Sequence, residues 1–152
     1  MAVVRRTKNL SKMPVSNELS KVLAELRKQH GDKSVINGSQ VVQPWRIPTG
    51  VFSFDLATLG GLPHDRISMV HGPKHSGKTY MAMRSIMGAQ QTLAGQQAVL
   101  IDVEGTYESV WSGKIGVDND NLLVVRPDSG EQAVDIANAL VSTLGVSLVV
   151  VD

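Results

Sequence analysis

The stretch Gly72-Pro73-Lys74-His75-Ser76-Gly77-Lys78-Thr79 constrains this chain more than any other. It fits G-x-x-x-x-G-K-[ST], a spacing that is informative only between a strand and a helix. Residues 66–71 before it form a short, largely apolar run of strand length, and residues 80–87 after it read as a buried helix. That context predicts a phosphate-binding loop. Gly72 and Gly77 are expected to take positive φ and let the backbone approach a ligand. The N–H groups of the loop would then point inward as an anion-binding nest at a helix N-terminus. Lys78 supplies a point charge for the β- and γ-phosphates, and the Thr79 hydroxyl is placed to ligate Mg²⁺. Pro73, Lys74, His75 and Ser76 inside the loop, and Tyr80 just after it, count as nucleotide-binding positions. No chemistry is assigned to the side chains of Lys74 and His75. The expected ligands are a nucleoside triphosphate and Mg²⁺.

The rest of the chain reads as an α/β body behind a short N-terminal helix. Strands are expected at 98–103, 121–125 and 148–151, and helices at 80–95, 107–115 and 131–144, with Gly95, Gly116 and Gly145 as stops. Apolar strands without alternation are buried on both faces, and their alternation with helices implies a parallel sheet of βαβ units. Before the loop, 41–47 is expected as an edge strand containing Pro44 and 53–59 as a short helix. From Ser16 to His30, Leu19, Val22, Leu23 and Leu26 mark one helix face, with Ser16 or Asn17 as its cap and a left-handed Gly31 at its end. The chain thus divides into a flexible basic arm (1–15), a helix and polar linker (16–43) and a core (44–152). The helix could pack on its own domain or on a neighbouring subunit.

Charge and cysteine content narrow the setting. Residues 1–33 carry eight Lys/Arg against three Asp/Glu, whereas 34–152 carry seven against eleven. A basic arm on an acidic body can steer nucleic acid, meet a second copy, or be a solvated tail. Cysteine is absent, so disulfides and cysteine-ligated metals are excluded. No apolar run approaches the ~20 residues of a membrane span. A soluble, cytoplasmic protein with no membrane partner is expected.

In open parallel sheets, ligands sit beyond the carboxyl ends of the strands. Two strands there end in acid. Asp152 closes Leu148-Val149-Val150-Val151 in the form of a carboxylate that holds Mg²⁺ directly or through water. Glu104 follows Leu100-Ile101-Asp102-Val103 and is placed to activate the water that attacks the γ-phosphate. By strand alternation, Asp102 and Glu104 should face the same way. Trp111 could stack on a flat base or fill the core. The Met81, Met83, Met87 group reads as core packing.

These residues resemble the bacterial RecA-type recombinases. The likeness runs over 47–152, through Ile47-Pro48-Thr49-Gly50, Gly60-Gly61-Leu62-Pro63, Ile101-Asp102-Val103-Glu104, Gly116-Val117-Asp118-Asn119-Asp120-Asn121 and Pro127-Asp128-Ser129-Gly130-Glu131-Gln132-Ala133. It implies a P-loop NTPase of RecA-like type: a DNA-dependent ATPase that polymerises on single-stranded DNA and carries out homologous pairing and strand exchange with double-stranded DNA. By resemblance Lys78 and Thr79 hold phosphate and magnesium, Glu104 is the hydrolytic base, Asp152 completes the metal site, and Glu108 and Trp111 contact adenine. The helix from Ser16 to His30 matches the segment that docks on the next protomer of a filament. Lys74-His75, Tyr80, Gly105 and Trp111 depart from the usual residues, as in a divergent bacterial or phage-borne relative.

The resemblance further implies an N-terminal portion whose DNA-binding loops lie beyond residue 152. The core would be incomplete, with a gap in the sheet beside the Asp152 strand, and the chain alone would neither form stable filaments nor turn over ATP at a family-like rate. The alternatives are another ATPase with the same core, a helicase or repair ATPase, and a non-enzymatic module that docks on full-length recombinase.

Overall fold

The computed structural model describes residues 16–152, so the basic arm expected at 1–15 lies outside the described residues. The chain separates into two units that divide between Gln43 and Pro44.

The first unit is built on α1 (Asn17–His30). Ser16 caps it, its hydroxyl accepting from the Leu19 N–H at 3.2 Å. Glu18 in the first turn and Arg27, Lys28 and His30 in the last suit the helix dipole. The Gly31 N–H closes the end on the Arg27 carbonyl. Gly31 has φ 91° as expected, but ψ 156° takes it out of the left-handed helical region. The Arg27 guanidinium donates to the Val35 carbonyl and folds the following turns back toward the helix. No residue of α1 is buried, and Leu19, Val22 and Leu26 are exposed.

The second unit contains β1 (Arg46–Ile47), α2 (Phe52–Ala57), β2 (Leu62–Pro63), α3 (Lys78–Thr92), β3 (Gln97–Ile101), α4 (Ser109–Ile115), β4 (Leu122–Val125), α5 (Gly130–Val141) and β5 (Val146–Val151). β1 and β2 pair antiparallel, so the edge strand expected over 41–47 shrinks to its last two residues. The main sheet is parallel, in the order β4-β3-β5. Ala98, Val99, Leu100 and Ile101 of the central strand are all buried, as a run without alternation requires. Leu100 and Ala98 meet Met83, Ile86 and Met87 of α3, together with Val117 and Leu122. Val99 and Ile101 meet Ala133, Ile136, Ala137 and Leu140 of α5. Helices therefore cover both faces of the sheet. Met83 and Met87 belong to this core, while Met81 is half-buried.

Residues 66–71 do not form the expected strand. Ile67 is 100% exposed and Met69 83%. Strand composition supplies only a propensity, and a strand also needs a neighbour for its N–H and C=O groups. β5 bears a ladder on its β3 side only, and no described strand lies on its other side. Helix and strand ends elsewhere shift by one to three residues, with α5 stopping at Val141 rather than 144.

Candidate functional site

Arg84 fixes the helix that follows the loop. It stands on α3 among methionines, donating Nε–H to the Thr49 carbonyl at 3.0 Å and a second N–H to the Ile115 carbonyl at 3.3 Å. Asp55 braces the same corner. Its carboxylate accepts from the Thr49 hydroxyl at 2.7 Å and from the backbone N–H groups of Thr49 and Gly50. Burial pushes the Asp55 carboxyl up, but those hydrogen bonds and the Arg84 charge outweigh it and hold the group below its usual value. One turn further along the same face of α3, Gly88 packs on the Pro48 carbonyl, leaving no room for a Cβ.

The loop enters α3 through Gly77, which is left-handed at φ 90°, ψ 19°. His75 also takes positive φ, at 61°. Gly72 does not, contrary to expectation; its lack of a side chain matters because a Cβ there would lie 2.7 Å from the Ser76 hydroxyl. Lys78 turns back over the loop, its ammonium donating to the Pro73 and Gly72 carbonyls at 3.0 and 3.3 Å. Pro73, Lys74, His75, Ser76 and Tyr80 are exposed.

A shallow cleft opens at the carboxyl end of the sheet. Thr79, Asp152, Glu108 and Trp111 line it, together with Met83, Leu100, Asp102, Thr106 and Tyr107. Asp152 is held in the last rung of the β3–β5 ladder, its N–H donating to the Ile101 carbonyl and its own carbonyl accepting from Val103. Trp111, 38% exposed, presents part of its ring to solvent. Glu104 and Lys78 do not line this cleft, and neither do Gly72 to Gly77 nor Tyr80.

Asp102 and Glu104 do not share a face. β3 ends at Ile101, so strand alternation no longer applies beyond it. Asp102 is 3% exposed and turned onto its own loop, whereas Glu104 is exposed. Among the described residues, no group of three His, Cys, Asp or Glu side chains is arranged to hold a metal by itself. Mg²⁺ does not require one, since it takes one or two protein oxygens, phosphate oxygens and water. The Thr79 hydroxyl and Asp152 carboxylate, hard oxygen donors on one cleft, fit that need.

Sequence reasoning missed Arg84, Asp55 and Tyr107. For Arg84 a signal was present, a cation inside the otherwise uncharged run Met81-Ala82-Met83-Arg84-Ser85-Ile86-Met87. Among the described residues, no helix is long and apolar enough to cross a membrane.

The RecA N-terminal domain family matches residues 17–152. The chain is 42% identical over 137 residues to Protein RecA of Frankia casuarinae and, equally, to Protein RecA of Mycobacteroides abscessus; each match covers 88% of this chain and 39% of the relative. Protein RecA of Mycobacterium leprae is 41% identical, with 88% of this chain and 19% of that protein covered. The chain thus spans about two-fifths or less of the length of these relatives, and by its match over nearly its whole length it belongs to the RecA N-terminal domain family.

Proposed function

We propose that this chain is the nucleotide-binding portion of a DNA-dependent ATPase recombinase, one that polymerises on single-stranded DNA and promotes pairing and strand exchange with duplex DNA in the cytoplasm. A single observation carries the reading: Thr79, Asp152 and the pair Glu108 and Trp111, from three separate parts of the chain, line one cleft beside the loop 72–79. Loop N–H groups and the start of α3 bind the triphosphate. Lys78 exchanges its two loop carbonyls for phosphate oxygens, a conversion that its half-buried side chain permits. Thr79 and Asp152 would hold Mg²⁺, which would supply positive charge against the phosphates. Trp111 stacks on adenine and Glu108 accepts from its amino group. The RecA relatives support the extension to DNA.

Hydrolysis asks for more than binding. Glu104 is the proposed base, but it is exposed and off the cleft, and the run 66–71 that leads into the loop is unpaired. Residues 1–152 alone are therefore expected to bind nucleotide without DNA-stimulated turnover. The exposed face of α1, with Leu19, Val22 and Leu26, supports docking on an adjacent protomer. Equilibrium titration with Mg·ATP tests the reading. Saturable binding by the wild-type chain, lost in Lys78→Ala, is expected; equal binding by both would overturn the loop assignment.

A further inference from the structure

We infer that Asp102 is a positioning residue for the base side of this cleft, an inference that rests on the cleft being a nucleotide site. After β3 the chain swings out to the exposed Glu104, passes Gly105 at φ 67°, and returns to start α4. Asp102 closes that excursion. One oxygen of its buried carboxylate accepts from the Thr106 N–H at 2.9 Å, the other from the Tyr107 N–H at 3.2 Å and from the Arg126 guanidinium at 3.3 Å. A carboxylate this deep needs such partners, and Arg126, whose side chain is 62% exposed, supplies the charge.

The clasp is continued on the far side of Tyr107. Its hydroxyl donates to Asn119 Oδ1 at 2.6 Å, and the Ser112 hydroxyl lies within 2.7 Å of the same oxygen. Asn119 in turn donates its amide to the Ser109 carbonyl at the start of α4. Tyr107 is thereby fixed at both its backbone and its ring end. Glu108 is the next residue, at the N-cap of α4, and Trp111 sits on its first turn. No hydrogen bond from the Glu108 side chain caps that helix, so the clasp around Asp102 and Asn119 holds this corner instead. With one oxygen held by the Thr106 N–H and the other by the Tyr107 N–H and Arg126, Asp102 orders the adenine contacts.

This placement predicts a split between base and phosphate binding. In Asp102→Asn the amide NH₂ must face a donor, either a backbone N–H or Arg126, so the return loop opens. Arg126→Met removes the charge partner while leaving both backbone N–H bonds to Asp102 in place, and its folding is checked before its affinity is read. Titrate wild type and both variants with Mg·ATP and with Mg·tripolyphosphate, monitoring folding by circular dichroism. Asp102→Asn should bind ATP about tenfold more weakly and Arg126→Met a few-fold more weakly, with tripolyphosphate affinity unchanged in both. Unchanged ATP affinity in Arg126→Met, or parallel losses for both ligands in that folded variant, would overturn the inference. Failure of the wild type to bind tripolyphosphate would instead count against the phosphate-loop reading.

Discussion

Arg84→Ala should loosen the corner on which the start of α3 rests, and the two hydrogen bonds it removes set the cost. The guanidinium donates to the carbonyls of Thr49, which is fully buried, and Ile115, which is half-buried. It also adds positive charge near the Asp55 carboxylate. Stranding a buried acceptor costs about 1–3 kcal/mol, and water that reaches Ile115 reduces its share, so the total should be about 2–4 kcal/mol. For a unit of this size that corresponds to a drop in melting temperature of roughly 8–16 °C. Lysine at this position keeps the charge but lacks the rigid fork that sets a separate nitrogen on each carbonyl, so Arg84→Lys should recover about half of the loss. Urea unfolding followed by far-ultraviolet circular dichroism gives the stability directly. A loss below about 0.5 kcal/mol for Arg84→Ala would refute the role assigned to those two bonds.

Other outcomes follow from the same corner and from the cleft. Gly50→Ala places a Cβ against the Arg84 guanidinium at a positive φ, and should reproduce most of the Arg84→Ala destabilisation in the same melts. Asp55 has a lowered folded-state value, so its ionised form stabilises the fold above its ordinary 3.8 and that advantage disappears as pH falls through the folded value. Asp55→Asn should therefore be less stable than wild type at neutral pH, with the gap closing in acid below 3.8; a gap that widens in acid would contradict the sign. In a Trp45→Phe background, adenine nucleotide should change Trp111 fluorescence; an unchanged spectrum at saturation would remove Trp111 from the site. Leu23→Asp should abolish co-sedimentation with a full-length recombinase while leaving nucleotide affinity intact, since Leu23 lies on α1 and not on the cleft.

Much of the body was legible because its signals are local. Ala98 to Ile101 is a continuous apolar run and is buried on both faces, and Gly116 closes α4 in the left-handed conformation that its position calls for. Residues 66–71 misled because pairing is not local: the run has strand composition, but the edge of β5 offers it no direct ladder. The shared face expected for Asp102 and Glu104 failed because alternation was carried past the last strand residue, where the chain bends. Gly72 was credited with a backbone conformation when closeness to Ser76 explains it. The clasp around Asp102 joins residues 24 apart in sequence, Asp102 and Arg126, and no spacing rule reveals such a pair.

Mn²⁺ substituted for Mg²⁺ in a complex with ATP reports the location of the metal through paramagnetic broadening of amide resonances. The Thr79 and Asp152 amides, with those of Gly77 and Lys78, should broaden first and only when ATP is present. Broadening that spares Thr79 and Asp152, or that centres on another acidic stretch such as Asp118 to Asn121, would contradict a triphosphate seated between the loop and the Asp152 strand.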